Sequence, residues 1–128
     1  MDPANVARSY LDAFATGDAD AVAAHVTDDF VNEHTAALSS SCTGKTEYRR
    51  RLPDFLASFA GVRYEIDDVL TEGDKVAAAY TMRATYEGHE IAVRGVMRMR
   101  IHDGLVAHRV DYYDALGFLQ QIGKGDIS

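Results

Sequence analysis

Apolar residues recur at helical spacing through the first sixty positions and then switch to alternation. Val6, Ala7, Tyr10, Leu11 and Phe14 form one stripe of a first helix. Asp2-Pro3 suits its start, because Asp can cap and Pro tolerates the first turn, and Gly17 suits its stop. Asp18 is placed to cap a shorter second helix burying Val22, Ala23 and Val26. Thr27-Asp28-Asp29 then turns the chain into a brief strand over 30–34, and the small, polar residues 35–44 read as a loop. Tyr48, Leu52, Phe55, Leu56 and Phe59 predict a third helix over about 45–60, which Pro53 should kink or divide.

After Gly61 the period becomes two. Val62, Tyr64 and Ile66 alternate with Arg63, Glu65 and Asp67, and Asp68-Val69-Leu70 breaks phase as a bulge does. Turns at Glu72-Gly73-Asp74, Gly88 and Asp103-Gly104 separate expected strands at 75–87, 90–102 and 105–113. Helices followed by long hairpin-linked strands predict an α+β fold, a single domain over residues 1–128 with helices packed on one face of a curved sheet. Such a sheet encloses a hollow suited to small molecules. Alternation puts Ala107, Arg109, Asp111 and Tyr113 on one side of the last strand, and Met97 and Met99 inward on the strand before it. Arg94, Arg98 and Arg100 then face solvent or a partner. Arg83, with Ala77, Ala79 and Thr81, is expected to face inward.

Composition narrows the function. The 128 residues carry a net charge of −7, which repels a phosphate backbone and disfavours nucleic acid as a partner. The longest apolar run, 76–80, is far too short for a membrane span, and no leader pattern is visible at the start. One cysteine, Cys42, suits a reducing compartment, so a cytoplasmic protein is expected. No histidines or carboxylates show metal-ligand spacing.

Chemistry is concentrated in residues 103–123. Asp111 is a carboxylate near a strand end among aromatics, and an inward carboxylate stripped of water suits general-base work. The competing reading is a structural ion pair with Arg109 or Arg83. A neutral imidazole at His34 can abstract a proton beside a carbonyl or donate to an oxygen. Its alternative is a strand-end histidine bonded to backbone. Asn32 shares its face and can orient a ligand oxygen. Tyr10 and Tyr48 lie on apolar helical faces, where core packing competes with function. Phe14, Leu52, Phe55, Met97 and Met99 read as core or pocket lining. Asp114 suits a cap for a short C-terminal helix, and His25, His89, His102 and His108 read as solvated.

These segments, taken in order, resemble a known family. Residues 10–18 (YLDAFATGD) look like the opening helix and Gly-Asp turn of the SnoaL-like polyketide cyclases. Residues 28–32 (DDFVN) look like that family's first strand, and Asp103-Gly104, residues 111–114 (DYYD) and residues 117–123 (GFLQQIG) like its C-terminal signature. The family belongs to the nuclear-transport-factor-2-like superfamily, with ketosteroid isomerases and limonene epoxide hydrolases. The resemblance implies a cone-shaped fold and a homodimer. It also implies cofactor-free acid–base chemistry on a hydrophobic, polyketide- or steroid-like carbonyl compound. It puts Asp111 at an acid/base aspartate, Tyr10 at an oxyanion-stabilising tyrosine, and His34 where isomerases carry a basic aspartate. Met97 replaces a polar residue, and Thr81 and Arg83 stand where epoxide hydrolases pair arginine with aspartate, which argues against epoxide hydrolysis. Asn32, Phe14, Tyr48, Leu52, Phe55, Arg83, Met97, Met99, Arg109 and Tyr113 are the expected substrate contacts. The alternative is a non-catalytic ligand-binding or dimeric scaffold domain.

Overall fold

A computed structural model of the protein describes residues 2–124. Helix α1 (Pro3–Ala13) opens on Asp2, whose carboxylate accepts the Ala4 N–H at 3.0 Å, with Pro3 in the first turn. A 3₁₀ turn (Phe14–Thr16) ends at Gly17, whose φ of 69° is left-handed. Helix α2 (Ala19–Ala23) starts under the Asp18 cap. The chain continues through β1 (Val26–His34), β2 (Cys42–Thr43), α3 (Lys45–Ser58), β3 (Ala60–Glu72), β4 (Lys75–Tyr86), β5 (His89–His102), β6 (Leu105–Tyr113) and α4 (Ala115–Gln121). Asp114 caps α4 by accepting the Gly117 N–H at 2.8 Å. This is the expected α+β arrangement. Among the described residues no helix is long and apolar enough to cross a membrane.

The six strands form one mixed sheet in the order β2-β1-β6-β5-β4-β3. All neighbours are antiparallel except β1 and β6, which run parallel. One sheet face is apolar because of the period-two pattern. On β4, Val76, Ala78, Tyr80, Met82 and Ala84 are buried, and on β5 so are Ile91, Val93, Met97, Met99 and Ile101. Val6, Ala7, Tyr10 and Leu11 of α1 press onto that face, fully or almost fully buried. The phase break in β3 appears as a register shift between Ile66 and Asp68.

Several expectations need correcting. Helix α3 runs unbroken through Pro53, which is exposed, so water can satisfy the carbonyl that loses its N–H partner. Residues 27–29 do not precede the first strand but lie inside it, where the β1–β6 register shifts between Val26 and Val31. Cys42 and Thr43 leave the expected loop to pair with β1. His25 Nδ1 bonds the Ala21 carbonyl at 2.8 Å and His108 Nε2 bonds Glu33 at 2.7 Å, so neither is simply solvated.

One glycine in this sheet has a steric reason to be there. Gly95 of β5 opposes Tyr80 of β4, and a Cβ on it would lie 2.5 Å from the Tyr80 hydroxyl and 2.5 Å from the Tyr112 carbonyl oxygen. Gly95→Ala is therefore expected to cost about 1–3 kcal/mol, as overpacking does. Urea unfolding checks this, and an unchanged midpoint at unchanged slope would refute the close approach.

Candidate functional site

Between the apolar sheet face and the helices lies a cavity of about 350 Å³, within the range of small-molecule sites. Phe14, Leu52, Phe55, Phe59, Met82, Val93 and Phe118 supply its apolar wall. The aromatics brace one another edge to face, with Phe14 5.0 Å from Tyr64 and 6.0 Å from Phe55 between ring centroids. Residues of the β1–β2 connection, Leu38, Ser39 and Ser40, also line it, and the Ser39 and Tyr113 hydroxyls are hydrogen-bonded to each other.

The polar part of the lining is built by the parallel β1–β6 pair. Its register sets Asn32 beside Arg109 and His34 beside Asp111, and period two turns all four toward the cavity. Asp111 is 5% exposed. Its Oδ1 accepts from the Tyr80 hydroxyl at 2.6 Å and its Oδ2 from Arg109 at 3.2 Å. His34 Nδ1 stands 3.8 Å from the same Oδ2, and His34 Nε2 lies 3.3 Å from Asn32 Nδ2. Arg109 also donates to the Tyr10 hydroxyl at 3.0 Å, and Tyr10 is hydrogen-bonded to Tyr48. The result is a row of polar groups from Asn32 to Tyr48, hydrogen-bonded except at the 3.8 Å step between His34 and Asp111. Three of its atoms, Asn32 Oδ1, His34 Nδ1 and Arg109 Nε, are buried without a hydrogen-bond partner.

Burial sets the protonation of this chain. It pulls His34 down from 6.5 to about 4, helped by the charges of Arg109 and Arg51 and opposed by Asp111, so the imidazole is neutral at pH 7. Burial also holds the Tyr10, Tyr48, Tyr64 and Tyr80 hydroxyls above the usual tyrosine range, and Asp111 reinforces this at Tyr80. All four remain hydrogen-bond donors at neutral pH. Burial opposes the charge on Arg109, but Tyr10 and Asp111 outweigh it and the guanidinium stays charged. It pushes the Cys42 thiol up, which removes a thiolate nucleophile.

Of the residues singled out in the sequence, Asn32, His34, Asp111, Arg109, Phe14, Tyr48, Leu52, Phe55 and Tyr113 line the cavity. Four expected site residues do not. Arg83 faces the other side of the sheet and pairs with Glu65 at 2.7 Å, because Tyr80 and Met82 occupy the inward positions of β4. It therefore cannot partner Asp111; Arg109 does. Met97 and Met99 are 0% and 3% exposed and belong to the core. Tyr10 is completely buried behind the wall, so it can act only through Tyr48 and Arg109. Tyr80, Tyr64 and Arg51 were not singled out, yet they line the cavity. The signal for Tyr80 was its parity with Ala78 and Met82, together with a glycine across the hairpin. Among the described residues no three His, Cys, Asp or Glu side chains converge as a metal site requires.

Comparison with known proteins agrees with this architecture. A protein from Catenulispora acidiphila with a ketosteroid isomerase-like fold, solved with trimethylamine, is 18% identical with a TM-score of 0.84, covering 92% of each chain. A proposed SnoaL-like polyketide cyclase from Shewanella putrefaciens is 15% identical with a TM-score of 0.84, covering 95% of this chain and 96% of its own. An epoxide hydrolase from M. tuberculosis, of the type abbreviated LEH, is 20% identical with a TM-score of 0.82, covering 96% and 90%. At such identities these likenesses speak to the fold alone. Among curated proteins none matches. The model of the SnoaL-like domain matches residues 7–109, which is most of the chain, and the chain belongs to that family.

Proposed function

We propose that the protein is a cofactor-free cyclase or isomerase that moves a proton on a hydrophobic carbonyl compound held in the cavity. The observation that carries this is the Asp111–His34 pair, one anionic and one neutral group 3.8 Å apart in an apolar chamber. The pair starts with one negative charge and takes the proton from the carbon next to the substrate carbonyl. The C–H electron pair moves onto the carbonyl oxygen, and the proton stays on His34 or Asp111, each stabilising the other's protonated form. Tyr48 donates to the developing oxyanion. Arg109 donates to Tyr10, which favours Tyr10 as the donor in its hydrogen bond with Tyr48, and that arrangement leaves the Tyr48 proton for the substrate. The enolate is then reprotonated at another carbon, or attacks a second carbonyl to close a ring. Asn32 holds the imidazole in place.

A second reading keeps the cavity and omits the chemistry. Asp111 already has Arg109 and Tyr80 as partners, as a structural ion pair would. His34 separates the two, since its removal leaves that ion pair intact. His34→Asn is expected to lower turnover of a hydrophobic 1,3-dicarbonyl or Δ5-ketosteroid probe by about 10²–10⁴-fold while ligand affinity and melting temperature change little. Absence of turnover by the parent would leave the binding-only reading, and turnover by His34→Asn equal to a measurable parental rate would remove His34 from the proton transfer. Asp111→Asn is expected to cost about 3–5 kcal/mol of stability in either case, because it leaves the Arg109 charge buried and unpaired.

The low pKa of His34 has a second consequence. The unfolded chain takes up this proton near pH 6.5 and the folded chain only near 4, so stability is lost as pH falls through that window. Melting temperatures between pH 7 and 4 should fall less steeply for His34→Asn than for the parent. Parallel curves would show that the imidazole is not held neutral.

The outer sheet face is the proposed homodimer surface, with Val96 38% and Tyr112 39% exposed beside Arg98. Sedimentation at micromolar concentration should give a dimer, and a monomer there removes this part of the proposal.

A further inference from the structure

The cavity has a charge opposite to that of the chain around it. The protein carries −7, yet the ionised side chains lining the cavity are Arg51, Arg109 and Asp111, leaving one net positive charge there. Arg109 is matched by Asp111, so the excess resides at Arg51.

Arg51 lies on α3, and its side chain is 39% exposed. The carboxylate nearest to it, Glu47, is 3.5 Å away and is already gripped by Arg50 through two nitrogens at 2.7–3.0 Å. One carboxylate thus faces two guanidinium groups and cannot neutralise both. The remaining Arg51 contacts are long bonds from Nη1, at 3.2 Å to the Ser40 hydroxyl and 3.4 Å to the Ser40 and Ser41 carbonyls. Its Nη2 has no hydrogen-bond partner among the described residues. A guanidinium that only pinned this loop would not need to line the cavity as well. A carboxylate is the natural partner for a planar, incompletely bonded guanidinium.

We infer that the ligand is an amphipathic acid, with an apolar body among Phe14, Phe55 and Phe118 and a carboxylate docked on Arg51. This rests on the reading of the cavity as a small-molecule site and names its substrate class. It makes Arg51 a specificity-determining residue, distinct from the groups that move the proton. The anion also offsets one of the two positive charges that act on His34, so a bound acid makes that imidazole a better base than it is in the free protein.

Calorimetric titration with 2-naphthoate and its neutral isostere 2-naphthamide tests the inference. The parent protein should bind the acid at least about tenfold more tightly than the amide, the scale of one charge-assisted hydrogen bond. Arg51→Met should bring the ratio to within about twofold, and Arg51→Lys, which keeps the charge, should restore most of it. Equal binding of acid and amide by the parent overturns the anion preference while the small-molecule cavity stands. A preference that survives Arg51→Met assigns it to Arg109 and overturns the role given to Arg51. Binding of neither probe overturns both the inference and the cavity reading beneath it.

Discussion

The parallel contact between β1 and β6 is the constraint on which the site depends. From Val31 to His34 the first strand lies beside the last in one register, so Asn32 meets Arg109 and His34 meets Asp111. Thr35 fixes the end of this pairing, since both its N–H and its hydroxyl donate to the Asp111 carbonyl, at 3.2 and 3.1 Å. A slip of β1 by one residue would turn Asn32 and His34 to the other face of the sheet, away from Arg109 and Asp111. The register is held by what lies on either side of it. Phe30 of β1 is fully buried and the same slip would expose it, while Val106 of β6, also fully buried, is held by pairing with Ile101 of β5.

Within that frame the costly element is Arg109. A guanidinium 4% exposed under Phe14 and Tyr10 is stable because most of its directions offer something to it, Nε alone lacking a hydrogen-bond partner among the described residues. Asp111 supplies charge, Tyr10 an oxygen, and the Tyr10 and Phe14 rings lie 5.8 and 5.9 Å from its centre. Buried ion pairs of this kind contribute little net stability but hold their groups in one geometry. Here that geometry keeps Asp111 aimed at His34. Tyr80 completes the support from the opposite side, and Gly95 gives its ring room.

The same enclosure shapes the reactivity. His34 is neutral because it is buried near two arginines, and the tyrosines stay protonated because they are buried near a carboxylate and one another. A neutral imidazole, hydroxyl donors and one anion form a set in which a proton can move without creating an isolated charge. Met97, where a second polar group would stand by family resemblance, is fully buried in the core. The polar network runs instead through Arg109 to Tyr48.

Local sequence determined the elements. The Asp2 and Asp18 caps, the stop at Gly17, the bulge after Ile66 and the strand limits near 75, 90 and 105 all follow from short-range chemistry that a few neighbouring residues settle. Alternation along β6 likewise put Arg109, Asp111 and Tyr113 on the inner face. It failed on β4, where the inward set is decided by the partner strand: Tyr80 fits opposite Gly95, and Arg83 is left outside with Glu65. The family resemblance puts Tyr10 in the site; its apolar helical stripe equally allows core packing, and a stripe cannot tell a wall from the layer behind it. Tertiary structure alone decided that His34 faces Asp111, that Arg109 is the buried cation, and that Arg51 reaches the cavity from another element. These are pairings between segments far apart in the chain, fixed by packing and register rather than by any residue's own preference.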